Sequence, residues 1–114
     1  MNIQIFGASK SFDTKKAQRW FQERRIPFQY VDLPTKGLSP REYQSVKGKI
    51  GLEGLIDEKS RAYEALYMAY LTPEAREEKL LEHPELFRTP IVRNGREATV
   101  GYCPEVWAKW KEGA

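Results

Sequence analysis

Residues 3–33 constrain the fold more than any other part of the chain, because two short strand-like runs enclose a helical one. Ile3-Gln4-Ile5-Phe6 alternates apolar and polar residues as a strand does, and Gly7 ends it where a turn is expected. From Asp13 the spacing changes. Ala17, Trp20 and Phe21 recur at helical steps, with the stem of Arg24 continuing the face, and Asp13 or Thr14 is expected to cap the first turn. Pro27 disfavours a helical Ile26, so the helix is expected to stop near Arg25. Phe28 to Leu33 then reads as a second strand, rich in aromatic and branched residues. Strand, helix and strand in so short a span make a βαβ unit, whose crossover is right-handed and whose strands are parallel.

The rest of the chain fits one domain. With 114 residues, 40% hydrophobic and 31% charged, it can bury a single core, and residues 1–114 are read as one unit. No run approaches the roughly 18 apolar residues of a membrane helix, and the amino terminus lacks a signal-peptide pattern. A cytoplasmic location without membrane contact is expected. The net charge of +3 permits acidic partners but falls short of a nucleic-acid signature, so no direct nucleic-acid contact is expected. Lys15, Lys16, Arg19, Arg24 and Arg25 cluster, and such a run reads as the solvated face of a helix. Cys103 is the only cysteine, so no intramolecular disulfide can form, and no metal site is expected.

Between about residues 39 and 87 the pattern is helical. Ser39, Pro40 and Glu42 form a capping-box signature, and the helix they open is expected to stop at Gly48 and Gly51. "DEKSRAYEALYMAYL" puts Ala62, Leu66, Ala69 and Tyr70 on one side, and Thr72-Pro73 opens a third helix carrying Leu80 and Leu81. Tyr63, Tyr67 and Tyr70 form a stripe that reads as core packing rather than a ligand platform. Strand logic then returns. Pro90 to Val92 and Ala98 to Tyr102 flank Asn94-Gly95, a strong hairpin signal, and Cys103-Pro104-Glu105 opens a last helix with Val106, Trp107 and Trp110 inward. The order is βαβ, a helical insertion, then ββα, an α/β arrangement with a mixed four-stranded sheet like that of the thioredoxin-like superfold. In that fold Pro90 is the cis residue beside the active loop.

The same residues carry a family resemblance. "IFGASKSFDTKKAQRWFQERRI", "YVDL", "GLEGLID", "LLEHPELFRTPIV" and "VGYCPEVW", in this order, make the chain resemble the arsenate reductase (ArsC), Spx and glutaredoxin-related family from Ile3 to Trp107. In that family a reactive cysteine, or selenocysteine in some relatives, stands four residues after the glycine that ends the first strand. Here that position is Ser11, with Thr14 three residues later. A thiolate there is stabilised by unpaired helix amides and by the helix dipole. The resemblance implies Ser11 and Thr14 as the catalytic positions and Lys10, Arg88, Thr89, Pro90 and Tyr102 as the substrate-binding set. It also implies glutathione or thioredoxin as reductant, no bound cofactor, and a thiol substrate or redox partner protein.

Departures from the family pattern qualify that expectation. A serine hydroxyl is far more basic than a free cysteine thiol of pKa about 8.5 and forms no stable disulfide. The only histidine, His83, precedes Pro84 in the helical region and reads as a cap or surface residue rather than a base for Ser11. Ser11 and Thr14 read equally well as simple caps. The arsenate-binding arginines of the family fall here on Thr89, Asp57 and Tyr102, with Arg88 adjacent to the first, so arsenate reduction is not expected. Spx-type regulators bind an RNA polymerase subunit and keep a Cys-x-x-Cys switch, which this chain lacks. The reading is therefore a thiol- or selenol-oxidoreductase-like protein that is redox-inactive or carries Ser11 in place of Cys or selenocysteine, with an Spx-like protein-binding regulator as the alternative. Cys103, before Pro104 at the start of the last helix, reads either as a second thiol of lowered pKa or as a small buried residue.

Overall fold

The structure, a computed structural model, describes residues 1–113. Strand β1 (Ile3–Gly7), helix α1 (Phe12–Glu23) and strand β2 (Phe28–Asp32) form the expected βαβ unit. Five helices follow: α2 (Leu33–Lys36), α3 (Pro40–Ile50), α4 (Leu52–Leu55), α5 (Arg61–Ala65) and α6 (Pro73–Glu82). The chain closes with β3 (Ile91–Asn94), β4 (Glu97–Val100) and α7 (Pro104–Gly113). The sheet order is β2-β1-β3-β4. β1 pairs parallel to β2 with Ile5 opposite Tyr30, and antiparallel to β3 with Ile5 opposite Val92. β4 adds antiparallel to β3, so the sheet is mixed.

Alternation along the strands divides the core between the two faces of the sheet. Ile3, Ile5 and Val92 pack with Ala17, Trp20 and Phe21 of α1 and Trp107 of α7. Phe6 and Ile91 point the other way, into Leu33, Tyr43, Val46, Leu55, Met68 and Leu80 of the helical insertion. Trp107 is fully buried and meets Trp20 edge-on with centroids 5.5 Å apart. Such aromatic pairs contribute about 0.5–1.5 kcal/mol beyond the area they bury.

Several local expectations are corrected. The cap of α1 is Ser11, as its reading as a simple cap has it, and not Asp13 or Thr14: its backbone is extended and its side chain accepts from the Thr14 amide. α1 ends at Glu23, two residues early, because Arg25 turns left-handed (φ 58°) and the Ile26 N–H reaches back to Phe21 O, closing the helix before Pro27. α3 runs through Gly48 and stops at Gly51, whose φ of 86° only glycine adopts without strain. The helix expected over residues 57–71 is broken. α5 starts from the Ser60 cap and gives way at Tyr67, which is left-handed (φ 54°), to a single 3-10 turn at Met68–Tyr70. That kink buries Met68 and turns the supposed core stripe outward: Tyr67 is 70% exposed and Tyr70 86%. Only Tyr63 of the three packs against the core.

Among the described residues no helix is long and apolar enough to cross a membrane.

Candidate functional site

The loop between β1 and α1 is held by three hydrogen bonds. Ser11 N–H donates to Ala8 O at 3.0 Å, the Thr14 amide to Ser11 Oγ at 3.2 Å, and the Ala8 amide to Thr14 Oγ1 at 3.2 Å. Thr14 is buried, 1% exposed, so its hydroxyl serves the loop from behind. Ser11, half-buried, is the residue this arrangement presents at the helix amino terminus, where the helix dipole favours negative charge.

Ser11 opens onto a cavity of about 520 Å³. Its opposite wall comes from the insertion. An isolated antiparallel bridge joins Ile56 to Phe87, with Asp57 N–H donating to Leu86 O at 2.7 Å and Arg88 N–H to Leu55 O at 2.8 Å. This bridge delivers Asp57 and Arg88 to the cavity and leads directly into Thr89. The Thr89–Pro90 peptide bond is cis, as the fold reading anticipates, and Pro90 is buried. Among the described residues the Thr89 backbone has no main-chain partner. Gly101, whose N–H donates to Pro90 O at 2.9 Å, completes that side.

The charged lining is mixed and leans acidic. Asp13, Glu53, Asp57 and Glu58 face Lys59 and Arg88. Glu53 is already matched by Arg76, which binds it through Nη2 at 2.6 Å and Nε at 3.1 Å. Three carboxylates against two cations is a poor setting for a multiply charged oxyanion, which needs converging arginines. No group of three His, Cys, Asp or Glu side chains among the described residues is arranged to hold a metal ion.

Of the residues singled out from the sequence, Ser11, Asp13, Asp57, Arg88 and Thr89 share this cavity, with Thr14 and Pro90 buried behind it. Lys10 is exposed and Tyr102 is 41% exposed, and neither lines the cavity. Tyr102 instead meets Trp107 edge-on at 5.6 Å, and the Lys16 ammonium lies 5.7 Å from its ring. His83 contacts Glu85 at 3.2 Å, outside the cavity. Glu53, Glu58 and Lys59 were not anticipated. The only signal for them was a charged flank on "GLEGLID", which is indistinguishable from a solvated turn until the Ile56–Phe87 bridge turns it inward.

Of the two readings of Cys103, its surroundings favour the small packed residue over the thiol of lowered pKa. It does stand at the cap of α7, its carbonyl accepting from Trp107 N–H at 3.2 Å. Burial nevertheless pushes its thiol up, outweighing the hydrogen bond with Thr99 that favours the thiolate, while the charges of Glu105 and Asp13 add to the rise and Arg88 opposes it. The thiol donates to Val100 O at 3.3 Å. It behaves as a protonated packing residue of the α1–α7 face.

Comparison with known proteins agrees with this geometry. The chain is 27% identical to "Global transcriptional regulator Spx 2" of Oceanobacillus iheyensis over 130 residues, covering 97% of this chain and 94% of that one. It is 29% identical to the Spx 2 regulator of Lactococcus lactis over 107 residues, covering 90% and 81%. Among solved structures, an arsenate reductase from Vibrio cholerae superposes with a TM-score of 0.82 at 21% identity, covering 96% of this chain and 97% of that one. An ArsC family related protein from Bacteroides fragilis superposes with a TM-score of 0.81 at 20% identity, covering 96% and 98%. These likenesses place the mixed sheet and its insertion in the thioredoxin-like fold of ArsC proteins. The ArsC family model itself matches residues 6–110, and the chain belongs to the ArsC family.

Proposed function

We propose that this chain keeps the binding side of an ArsC-type redox site while its nucleophile position, Ser11, carries a hydroxyl that does not turn over disulfides. The observation that carries the reading is the placement of Ser11 Oγ: it caps α1 through the Thr14 amide at 3.2 Å and opens on the same cavity as Thr89. A thiol or selenol at that atom would gain the same amide and the helix dipole. A serine gains the cap and no acidity, and no histidine stands by to activate it. The free main chain of Thr89 can pair with an extended thiol peptide, such as glutathione, or with a segment of a partner protein. The acid-leaning lining argues against arsenate as a substrate.

The test is Ser11→Cys. Thiolate absorbance against pH and alkylation rate should reveal a thiol of depressed pKa that accepts electrons from glutathione or thioredoxin and reduces a small disulfide, while the Ser11 chain does neither. A thiol at position 11 with an ordinary pKa near about 8.5 sinks the redox-loop reading.

The likeness to Spx regulators favours a second reading, in which the chain is a cytoplasmic protein-binding regulator. The unmodified chain should then retain an RNA polymerase subunit on a column, with retention unchanged by oxidant. Loss of the subunit at ordinary salt removes that reading and leaves the first intact.

A further inference from the structure

Beside the Ser11 cavity lies a second concavity that the redox reading does not use. It is a groove of about 440 Å³ walled by Tyr63, Tyr67 and Tyr70 and edged by Glu58 and Glu64. No lysine or arginine lines it, although the chain as a whole carries a charge of +3. Glu58 borders both the groove and the cavity, so the two adjoin there.

The groove is built rather than incidental. Tyr63 is fixed at its base: its hydroxyl accepts from Arg76 Nη1 at 3.3 Å, and the Arg76 guanidinium lies 5.4 Å from its ring. Tyr67 holds a left-handed conformation (φ 54°, ψ 38°), which is costly for a residue with a bulky side chain. The turn buries Met68, but Tyr67 itself gains no burial, being 70% exposed, and Tyr70 stands beside it at 86% exposure. Backbone hydrogen bonds from Tyr67 N–H to Glu64 O (3.1 Å) and from Tyr70 N–H to Tyr67 O (3.0 Å) hold the turn that carries both tyrosines next to Glu64.

Aromatic faces and carboxylates together match one kind of side chain. A guanidinium or ammonium stacks over tyrosine through the ring quadrupole and pairs with carboxylates through charge-assisted hydrogen bonds. We infer that the tyrosine groove takes an arginine- or lysine-bearing extended segment of a partner polypeptide, its basic side chain between Glu58, Glu64 and the rings of Tyr67 and Tyr70. The continuation of that segment past Glu58 towards Thr89 rests on the reading of the cavity as a polypeptide site; the groove contact itself does not.

Fluorescence anisotropy with labelled peptides tests this on the full chain with Ser11 in place. Three peptides of equal length and apolar content carry arginine, its neutral isostere citrulline, or glutamate. The arginine peptide should bind at least about tenfold more tightly than the citrulline peptide, as a cation–π contact with charge pairing requires, and the advantage should shrink with salt. Glu58→Gln with Glu64→Gln, and separately Tyr67→Ala with Tyr70→Ala, should each weaken it about tenfold. Tyr67→Gly should raise Tm by relieving the left-handed residue while weakening binding, which separates loss of the contact from loss of the fold. Equal binding of arginine and citrulline peptides, or parental affinity in the tyrosine variants, overturns the inference. So does a dimer in sedimentation equilibrium that Tyr67→Ala with Tyr70→Ala dissolves, since the occupant is then a second copy. Failure here alongside a low-pKa thiol in Ser11→Cys removes only the groove; an ordinary thiol alongside arginine-selective binding removes only the redox-loop reading.

Discussion

Thr14 packs so closely under Gly7 that a methyl group on Gly7 would meet Thr14 Oγ1 at 2.9 Å and Thr14 Cγ2 closer still. The end of β1 and the first turn of α1 are thus fitted to one another, and that fit places Ser11 over the cavity. Gly7→Ala should destabilise the chain by about 1–3 kcal/mol, the range for overpacking a filled site. Thr14→Ala removes the two closest contacts, leaving Tyr30 Cε1 at 3.1 Å, at the cost of the Ala8 hydrogen bond. The double variant should therefore be more stable than the two single losses summed, and a denaturant double-mutant cycle reads the difference. Strict additivity would show that the contact does not govern the loop.

Arg76 ties α6 to α4 and to the kinked turn. It is 8% exposed, binds both oxygens of Glu53, and donates through Nη1 to Met68 O. Because Glu53 is more than half exposed, the pair is no sealed ion pair, and much of the Coulomb attraction is screened by solvent. The larger loss in Arg76→Ala is the charge-assisted bond to the buried Met68 carbonyl, which keeps only the Leu71 N–H at 3.2 Å, about 1–3 kcal/mol. Arg76→Lys should recover little, since an ammonium cannot hold Glu53 in a fork and reach Met68 O together. Urea midpoints of the two variants within error of the parent would contradict this account.

Opposite the insertion, the Trp107 indole donates to Thr99 Oγ1 at 2.9 Å, both residues being buried. Thr99→Val keeps the shape and removes the acceptor. The unpaired indole N–H should cost about 1–3 kcal/mol, visible as a lowered Tm and a changed near-ultraviolet tryptophan signal. Thr99→Ser, which keeps the oxygen, should lie closer to the parent.

How much of this was legible in the sequence depended on where each residue's partners lie. The βαβ unit and the hairpin were readable because strand alternation, helix spacing and Asn94-Gly95 are local signals. The position of Ser11 was readable because it is counted from Gly7 within one loop. The break at Tyr67 was not, since "YEALYMAYL" satisfies helical spacing and its left-handed turn is paid for by burying Met68 in a core assembled from distant elements. The lining by Glu53, Glu58 and Lys59 was hidden for the same reason: only the Ile56–Phe87 bridge, between residues far apart in the chain, turns that segment towards Thr89.

Cys103 shows how a local signal can be overruled by its surroundings. A cysteine at a helix cap invites a lowered pKa, yet burial between α1 and α7 disfavours the thiolate more strongly than the Thr99 hydrogen bond and the Arg88 charge favour it, so the thiol titrates above the ordinary cysteine value. Two measurements follow from the sign. Alkylation at neutral pH should be slower than for a free thiol and should rise through a pKa above that of an unfolded cysteine. Stability should also depend on pH in one direction. The folded state keeps the proton longer than the unfolded state, so the contribution of Cys103 is full below the unfolded value of about 8.5 and is lost as pH rises from there through the folded value. Cys103→Ala removes that dependence, and the gap in urea midpoint between parent and variant should narrow at alkaline pH. Rapid alkylation through a depressed pKa would instead make Cys103 a second reactive thiol and reverse its assignment as a packing residue.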